Sequence, residues 1–149
     1  MSIIIVEVEK IRKLRQECLR KGKPYSTTIY KKDFNKETIH IALEKEKKII
    51  SCATIYPENN QEHGFDKSYR LRGMATEEGK RRQGYGKKII KKIEKILIKK
   101  KQNYIWCKAR IEALIFYKKL GFMTVGEKFN IKDIGPHYIM YKKIKKLQT

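Results

Sequence analysis

The sequence predicts one mixed α/β domain of the α+β type. Its 149 residues suit a single hydrophobic core, and no internal repeat or linker rich in Ser, Gly or Pro divides them. Runs of β-branched residues alternate with stretches in which apolar residues recur three and four positions apart, so strands and helices are interspersed along the chain. We therefore expect one domain over residues 1–149.

The predicted elements follow the order β-α-β-β-β-α-β-α-β-β. Short apolar or β-branched runs mark the strands, which are residues 3–8, 38–43, 49–56, 69–75, 104–109, 122–129 and 137–144. The second and third strands flank the charged turn Glu44–Lys48, which predicts a hairpin although the turn lacks Gly or Asn. Polar residues over 25–37 and 57–67 predict irregular loops.

Three helices are predicted, over residues 11–19, 85–100 and 113–120. Gly22 and Pro24 end the first. Gly121 stands where a glycine commonly ends a helix, and the lysines before it suit the negative end of the third helix's dipole. The second helix has the clearest pattern, because lysines cover one side and an apolar stripe covers the other; the stripe is Ile89, Ile90, Ile93, Ile96 and Leu97.

Composition limits the classes of function. The formal net charge is +21, yet only eight of the 37 basic residues are Arg. Base readout and bidentate phosphate recognition favour Arg over Lys, so we expect a solvated lysine surface that attracts polyanions nonspecifically, and no specific nucleic-acid partner. No apolar run approaches the ~20 residues that span a bilayer, and the first apolar run predicts a strand rather than a signal peptide. We expect a cytoplasmic protein without a membrane partner.

The three cysteines, Cys18, Cys52 and Cys107, are far apart and form no CxxC pair. This pattern predicts neither a disulfide framework nor a zinc site, and we expect no bound metal. Cys107 lies in the apolar run 104–109, where a buried and unreactive thiol is expected. A thiol close to the substrate is the alternative.

A glycine-containing segment between the fourth strand and the second helix carries the strongest functional signal. The start of a helix offers free N–H groups and the positive end of the dipole to anions, and glycines let the backbone close around them. Cations crowd this helix start, where a helix without a ligand would favour Asp or Glu. We predict a polyphosphate site in the segment Arg81-Arg82-Gln83-Gly84-Tyr85-Gly86, followed by Lys87 and Lys88.

Two common polyphosphate motifs are excluded. A Walker A loop requires Gly-Lys followed by Ser or Thr, and the sequence contains no such triplet. The dinucleotide-binding fingerprint requires a third glycine three residues after Gly86, where Ile89 stands.

The remaining pattern, Arg-x-x-Gly-x-Gly between a strand and a helix, resembles the acyl-CoA signature of the GNAT superfamily of N-acetyltransferases. The preceding run Leu71–Ala75 is common in that family, and Ala113–Phe122 resembles its A-x-x-F-Y-x-x-x-G-F segment. The matches cover about residues 38–144. The ElaA-like branch is indicated by Gly126–Phe129, Ile134–His137 and Met140, and more weakly by His40 after an acidic loop with Asp33 and Glu37.

The resemblance implies a GNAT fold, with a central, mostly antiparallel, twisted sheet of six to seven strands flanked by helices. It also implies that an amine attacks the thioester of acetyl-CoA directly, that the helix start holds the pyrophosphate and that the end of the fourth strand pairs with the pantetheine arm. Arg110 stands where many members have Asn; from there it could reach a CoA phosphate or a substrate carboxylate. The implied cofactor-binding residues are Met74, Ala75, Thr76, Arg81, Arg82, Gln83, Gly84, Tyr85, Gly86, Lys87 and Arg110.

The predicted catalytic residues are Tyr117 and His137. The resemblance implies that Tyr117 protonates the departing thiolate, and a phenol of pKa about 10 can donate to a thiolate of pKa about 8.5. His137 is one candidate for the base that deprotonates the amine; the others are His40, Glu58 and Glu77, and for each a structural role is the alternative.

The sequence leaves open the acceptor, the oligomeric state and the roles of two arginines. The acceptor is a small-molecule or peptide amine, and the protein is a monomer or homodimer. Arg70 and Arg72 either attract an acidic substrate group or are ordinary strand residues.

Two alternative functions remain. One is that of a protein with a GNAT fold that binds acyl-CoA without catalysis. Another is a basic nucleic-acid or ribosome-associated module, which would use aromatic residues such as Trp106 but lacks an RRM, KH or zinc-finger signature.

Overall fold

A computed structural model describes residues 1–145 of the chain. Its helices and strands follow the predicted order. Short 3-10 helices lie in the predicted loops at Tyr25–Thr28 and Gln61–His63, and a third covers Ile111–Ala113. The strands are β1 (Ser2–Val6), β2 (Ile39–Lys45), β3 (Lys48–Pro57), β4 (Ser68–Thr76), β5 (Tyr104–Arg110), β6 (Met123–Ile131) and β7 (Gly135–Lys143), and the helices are α1 (Glu9–Leu19), α2 (Tyr85–Lys99) and α3 (Leu114–Lys119).

The seven strands of residues 1–145 form one sheet in the order β1-β2-β3-β4-β5-β7-β6. Strand β4 runs parallel to β5, whereas β1 with β2, β2 with β3, β5 with β7 and β6 with β7 are antiparallel. The predicted fold class, a mixed α+β protein with a mostly antiparallel sheet and helices, is therefore confirmed.

The chain divides into two compact units. Unit 1 consists of Met1–Tyr56 and Leu71–Ile96, and unit 2 consists of Pro57–Arg70 and the chain from Leu97 onward. The single domain over residues 1–149 stays a prediction. Within residues 1–145, no helix combines the length and the apolar character that crossing a membrane requires.

Apolar faces of the two long helices are buried as the sequence predicts. On α2, Ile89, Ile90 and Ile93 are at most 1% exposed, and the lysines of the opposite side are exposed. On α1, Ile11 and Leu14 pack in the core of unit 1 with residues of β2, β3 and β4. The core of unit 2 gathers Phe65, Trp106 and Ile139. Each buried aliphatic side chain stabilises the fold by roughly 1.5–3 kcal/mol.

Three boundaries differ from the sequence prediction. Strand β1 ends at Val6 because Val8 is already the N-cap residue of α1. Strands β6 and β7 extend into the predicted connection 130–136 and leave a turn of three residues. The β2–β3 turn is tight, with Glu46 and Lys47 at φ 52° and 64° between paired Lys45 and Lys48. Left-handed residues other than glycine cost about 1–2 kcal/mol each, so this hairpin forms with a strained turn that glycine or asparagine would relieve.

Candidate active site

The loop between β4 and α2 has an unusual backbone. Gly79, Arg82 and Gly84 have φ angles of 87°, 64° and 82°. The left-handed conformation costs an Arg residue about 1–2 kcal/mol, and strain of this kind concentrates at functional sites. Turn conformations of this type arrange successive N–H groups into anion-binding concavities. The backbone therefore supports the predicted polyphosphate site independently of charge.

The start of α2 adds donors and cations to this loop. The first helical hydrogen bond runs from Lys88 N–H to the Gly84 carbonyl at 3.1 Å, so the N–H groups of Tyr85, Gly86 and Lys87 have no acceptor within the helix. Arg82 and Lys87 are exposed. Backbone donors and exposed cations on one short segment are the chemistry that a pyrophosphate requires.

Three other side chains of the predicted cofactor segment bind the protein itself. Arg81 Nε donates to the Thr76 carbonyl at 3.1 Å, and Gln83 Nε2 donates to the Gly79 carbonyl at 3.3 Å. The Tyr85 ring is buried, and its hydroxyl accepts a hydrogen bond from Lys45 Nζ at 3.2 Å. These contacts hold the loop in shape, and they engage the ring of Tyr85 and leave its N–H outside the helical hydrogen bonds.

The end of β4 lies beyond the three residue pairs of the β4–β5 ladder, which stops at Arg70 and Trp106. Its backbone is bent at Gly73, with φ 63°. Ser51 Oγ donates to the Ala75 carbonyl at 3.1 Å and lies 2.8 Å from Thr76 Oγ1. The predicted pantetheine-binding residues Met74, Ala75 and Thr76 therefore form a strand end that β3 holds in place.

The free cysteines are protonated thiols. Burial raises the pKa of Cys52 and of Cys107 to about 12, and burial also raises the pKa of Cys18. Cys18 Sγ donates to the Thr76 carbonyl at 3.3 Å. The expectation that Cys107 is a buried thiol is confirmed. No cluster of metal-ligating side chains occurs within residues 1–145.

Beside the bend of β4 lies a buried ion pair that sequence reasoning missed. Arg15 and Asp33 have fully buried side chains, and the guanidinium binds both carboxylate oxygens at 2.7 and 3.0 Å. Arg15 also donates to the Thr28 carbonyl and to Thr54 Oγ1, each at 2.7 Å. The sequence does contain a signal, because Arg15 stands four residues after Ile11, inside the apolar stripe of α1.

His40 belongs to the same network. Its Nε2–H donates to the Asp33 carbonyl at 3.0 Å, and its Nδ1 accepts from the Thr54 hydroxyl at 2.8 Å. Burial lowers the pKa of His40 below its usual 6.5. Because both ring nitrogens are engaged, the geometry favours the structural role for His40 over the role of a base.

Both glutamates among the candidate bases are paired with cations. Glu77 forms an ion pair with Lys48, and the hydrogen bond from Lys48 lowers the pKa of the Glu77 carboxyl. Glu58 Oε2 accepts from Arg70 Nη1 at 3.3 Å. An ion pair stabilises the ionised carboxylate and so weakens it as a base.

In unit 2, Tyr117 is 6% exposed and lies between two aromatic rings. The centroids of Phe116 and Phe122 are 5.0 and 5.2 Å from its own. Burial raises the pKa of Tyr117 well above 10, and the Cys107 thiol adds to the shift. The phenol is therefore protonated throughout the neutral range. Gly121, at φ 92°, follows the last residues of α3 as predicted.

Arg110 and His137 are paired in the β5–β7 register and thus point to the same face of the sheet. His137 is 3% exposed, and its Nδ1 lies 2.8 Å from the Gly135 carbonyl. A carbonyl only accepts, so Nδ1 carries the proton and the lone pair is at Nε2. Cys107, which influences Tyr117, points to the opposite face because side chains alternate along a strand.

The fold, in which β4 leads through a loop with left-handed residues into the start of α2, is that of a family of acetyltransferases. The model of the acetyltransferase (GNAT) family matches residues 8–122. The uncharacterised N-acetyltransferase YitI of Bacillus subtilis (strain 168) is 33% identical over 145 residues, which cover 97% of each chain. The chain therefore belongs to the GNAT family of acetyltransferases, and its cofactor is acetyl-CoA.

Solved structures share the fold at low identity. An aminoglycoside 6'-N-acetyltransferase complexed with coenzyme A has a TM-score of 0.79 at 15% identity, with 100% of both chains covered. The ribosomal-protein-S18-alanine N-acetyltransferase of Escherichia coli has a TM-score of 0.77 at 16% identity, with 99% of this chain and 96% of that chain covered. The acceptors of these two enzymes differ, so the shared fold does not define the acceptor of this chain.

Proposed function

We propose that this enzyme transfers the acetyl group of acetyl-CoA to a primary amine by direct attack of the amine on the thioester, with Tyr117 as the general acid. When bound, acetyl-CoA supplies an acetyl group activated as a thioester. The single observation that carries the proposal is the state of Tyr117: a buried phenol whose pKa is raised well above 10. Such a group is protonated at neutral pH, so it holds a proton that it can donate to the negative charge developing on the departing thiolate.

Cofactor binding is assigned to the loop and helix start of unit 1. The N–H groups of Arg82 to Lys87 would hold the pyrophosphate, and the backbone of Met74 to Thr76 would pair with the pantetheine arm. The left-handed Arg82 and Gly84 support this assignment, because they shape an anion-binding turn without needing a side chain. Arg110 is proposed as a further contact to a phosphate or a substrate carboxylate.

His137 is proposed as the base that receives the proton of the attacking amine, directly or through a water molecule. The hydrogen bond of its Nδ1 to Gly135 places the lone pair on Nε2. The other candidates, His40, Glu58 and Glu77, are each engaged by protein partners.

We also propose that the chain belongs to the ElaA-like branch of the family. This placement rests on the segments Gly126–Phe129 and Ile134–His137 and on Met140.

The test is the substitution Tyr117→Phe, which keeps the ring and removes the acidic proton. We expect kcat with a reactive amine to fall about 100-fold, the lower end for loss of a general acid. The affinity for acetyl-CoA, measured by calorimetry, should change less than about twofold because the ring packing remains.

The matched control is Tyr25→Phe, since Tyr25 is 43% exposed and lies in unit 1. An unchanged kcat in Tyr117→Phe would remove the acid assignment. A wild-type protein that binds acetyl-CoA but releases no thiol with any amine in a broad panel would favour an acyl-CoA-binding role without catalysis.

A further inference from the structure

The buried ion pair of unit 1 joins segments that are far apart in the sequence. Arg15 comes from α1, whereas its acceptors are the Thr28 carbonyl, the Asp33 carboxylate and the Thr54 hydroxyl. Thr28 and Asp33 lie in the connection between α1 and β2, residues 20–38, and Thr54 lies on β3. One buried guanidinium thus connects the first helix, the following loop and the sheet.

A fully buried ion pair is weak evidence for stability alone. Two charges lose their hydration on burial, and apolar residues of similar volume are often equally stable or more stable in their place. Within residues 1–145, the Nε–H group of Arg15 has no hydrogen-bond partner, and an unpaired buried donor is unfavourable. Such a pair is of use where it fixes a conformation that apolar side chains would leave free.

Both members of the ion pair hold Tyr30, which is 6% exposed. The guanidinium carbon of Arg15 lies 4.0 Å from the centroid of the Tyr30 ring. Asp33 Oδ2 accepts a hydrogen bond from the Tyr30 N–H at 2.6 Å. Arg72 of β4 lies over the same ring, with its guanidinium carbon 4.2 Å from the centroid. The ion pair therefore fixes the backbone and the ring of Tyr30, and the ring in turn contacts β4.

The contact with β4 falls at the bend of that strand. A Cβ atom at Gly73 would lie 3.2 Å from both Arg15 Nε and Tyr30 Cε2. Arg72 and Gly73 are consecutive, yet both face Tyr30, whereas side chains alternate between the two faces of a regular strand. The bend therefore interrupts the alternation where β4 rests on the Tyr30 ring. The next residues, Met74–Thr76, are the strand end proposed to pair with the pantetheine arm.

Strand β3 holds the carbonyl groups of the same segment. Cys52 Sγ donates to the Gly73 carbonyl at 3.6 Å, and Ser51 Oγ donates to the Ala75 carbonyl at 3.1 Å. The carbonyl groups are thus tied to β3, while the Cα atom of Gly73 rests on Tyr30. The direction in which β4 continues beyond its bend then depends on where the ion pair places the ring.

We propose that Arg15 and Tyr30 are positioning residues for acetyl-CoA binding. The ion pair holds the Tyr30 ring against Gly73, and the ring sets the direction in which Met74–Thr76 meets the cofactor. Neither side chain touches the cofactor. The proposal rests on the proposed pairing of the pantetheine arm with this strand end and extends it to a buried network of unit 1.

The first experiment removes the ring with Tyr30→Leu. Acetyl-CoA is titrated into the variant by calorimetry, at a temperature and pH at which urea unfolding shows that the protein is fully folded. We expect the Kd for acetyl-CoA to rise about tenfold, because binding must then order the strand end. The conservative variant Tyr30→Phe keeps the ring between Arg15 and Gly73 and should restore the affinity to within twofold of the wild type.

The matched control for loss of a buried tyrosine is Tyr56→Leu. Tyr56 is 3% exposed and also belongs to unit 1, but the cation over its ring is Lys32, 5.1 Å from the centroid. This variant should keep its Kd for acetyl-CoA within twofold of the wild type.

A second variant, Arg15→Met/Asp33→Asn, tests the ion pair itself. It removes both charges at nearly constant volume and keeps an acceptor for the Tyr30 N–H. Its Kd for acetyl-CoA should also rise about tenfold. Because the Kd is measured on folded protein, a loss of stability alone would not raise it.

Gly73→Ala tests the contact between the bend and the ring. Its Cβ presses on Tyr30 and should raise the Kd for acetyl-CoA in the wild-type background. In the Tyr30→Leu background the same substitution should raise the Kd at least threefold less, since part of the overlap is gone. Losses that simply multiply would show that the ring and the bend act independently, and the proposal would be wrong.

A Kd for acetyl-CoA within twofold of the wild type in folded Tyr30→Leu, or an equal rise in Tyr30→Leu and Tyr56→Leu, would also overturn the positioning role. Calorimetry requires no turnover, so these results are distinct from failure of the acetyltransferase proposal. That proposal fails if the wild type binds acetyl-CoA but releases no thiol with any amine.

Discussion

The start of α2 and a groove of about 970 Å³ in unit 2 are built in opposite ways. At the start of α2, cations and free N–H groups come from one continuous segment, Arg81–Lys88, on a backbone with left-handed residues. The walls of the groove come from two segments more than 60 residues apart, Glu58–His63 and Gly126–Lys128, and its carboxylates are balanced by lysines and by Arg70.

In a chain with a net charge of +21, this comparison shows which kind of observation distinguishes one surface region from the rest. Cations at the start of α2 are what the composition supplies at almost any exposed position, so charge alone says little there. The left-handed backbone is what distinguishes that segment. Charge also says little in the groove, where cations balance the carboxylates. The bulge of β6 between Val125 and Phe129 is what distinguishes that region.

The largest effect is expected from a variant that tests whether acetyl-CoA binding at the start of α2 depends on the backbone conformation there. Gly84→Val places a β-branched residue at φ 82°, where no heavy atom within 4 Å would clash with its Cβ. Backbone strain of about 2 kcal/mol in the binding conformation would weaken acetyl-CoA binding about 30-fold, as measured by calorimetry.

The matched control is Gly79→Val, at φ 87° and equally free of clashes. Gly79 precedes the segment proposed to contact the pyrophosphate, so this variant should keep its affinity within about threefold. If both variants lose the same affinity for acetyl-CoA, the loop acts only through its overall shape. The assignment of pyrophosphate binding to the N–H groups of Arg82 to Lys87 would then be wrong.

A smaller effect is expected from the charge at the α2 start. Arg82→Gln keeps a hydrogen-bonding side chain and removes the cation, and it should weaken acetyl-CoA binding about fivefold, since an exposed ion pair contributes about 1 kcal/mol or less. The KM for the amine acceptor should not change.

The control for nonspecific attraction is Lys80→Gln, which removes an exposed cation from the same loop. If it weakens cofactor binding as much as Arg82→Gln does, the general positive field explains the affinity. If Arg82→Gln changes the acceptor KM as well as the cofactor affinity, the assignment of Arg82 to the cofactor alone is wrong.

The two regions also differ in how far the sequence predicts them. The helix start is visible in the sequence because its residues are contiguous and the periodicity of α2 marks where the helix begins. The groove is not, because its walls meet through a bulge and a glycine contact between Gly126 and His63, which periodicity does not encode. Asp33 stands out only as part of an acidic loop, since its partner Arg15 is 18 residues away and reaches it through the fold.

The smallest effect is expected in the pH dependence of stability, where one histidine from each unit is compared. His40 is buried in the Arg15–Asp33 network of unit 1, whereas His63 lies on the groove wall of unit 2. Burial lowers the pKa of His40 in the folded state. As the pH falls through 6.5, the unfolded chain takes up a proton there that the folded protein does not, so stability decreases with falling pH.

One such proton changes the free energy of unfolding by at most about 1.4 kcal/mol per pH unit. Urea unfolding at pH 7.5 and 5.5 should therefore show a smaller pH-dependent loss of stability for His40→Gln than for the wild type, whatever the absolute stability of the variant. His63→Gln should retain the loss seen in the wild type. If His40→Gln keeps the full loss, the histidine is not held neutral by burial, and the acid sensitivity belongs to other titratable groups.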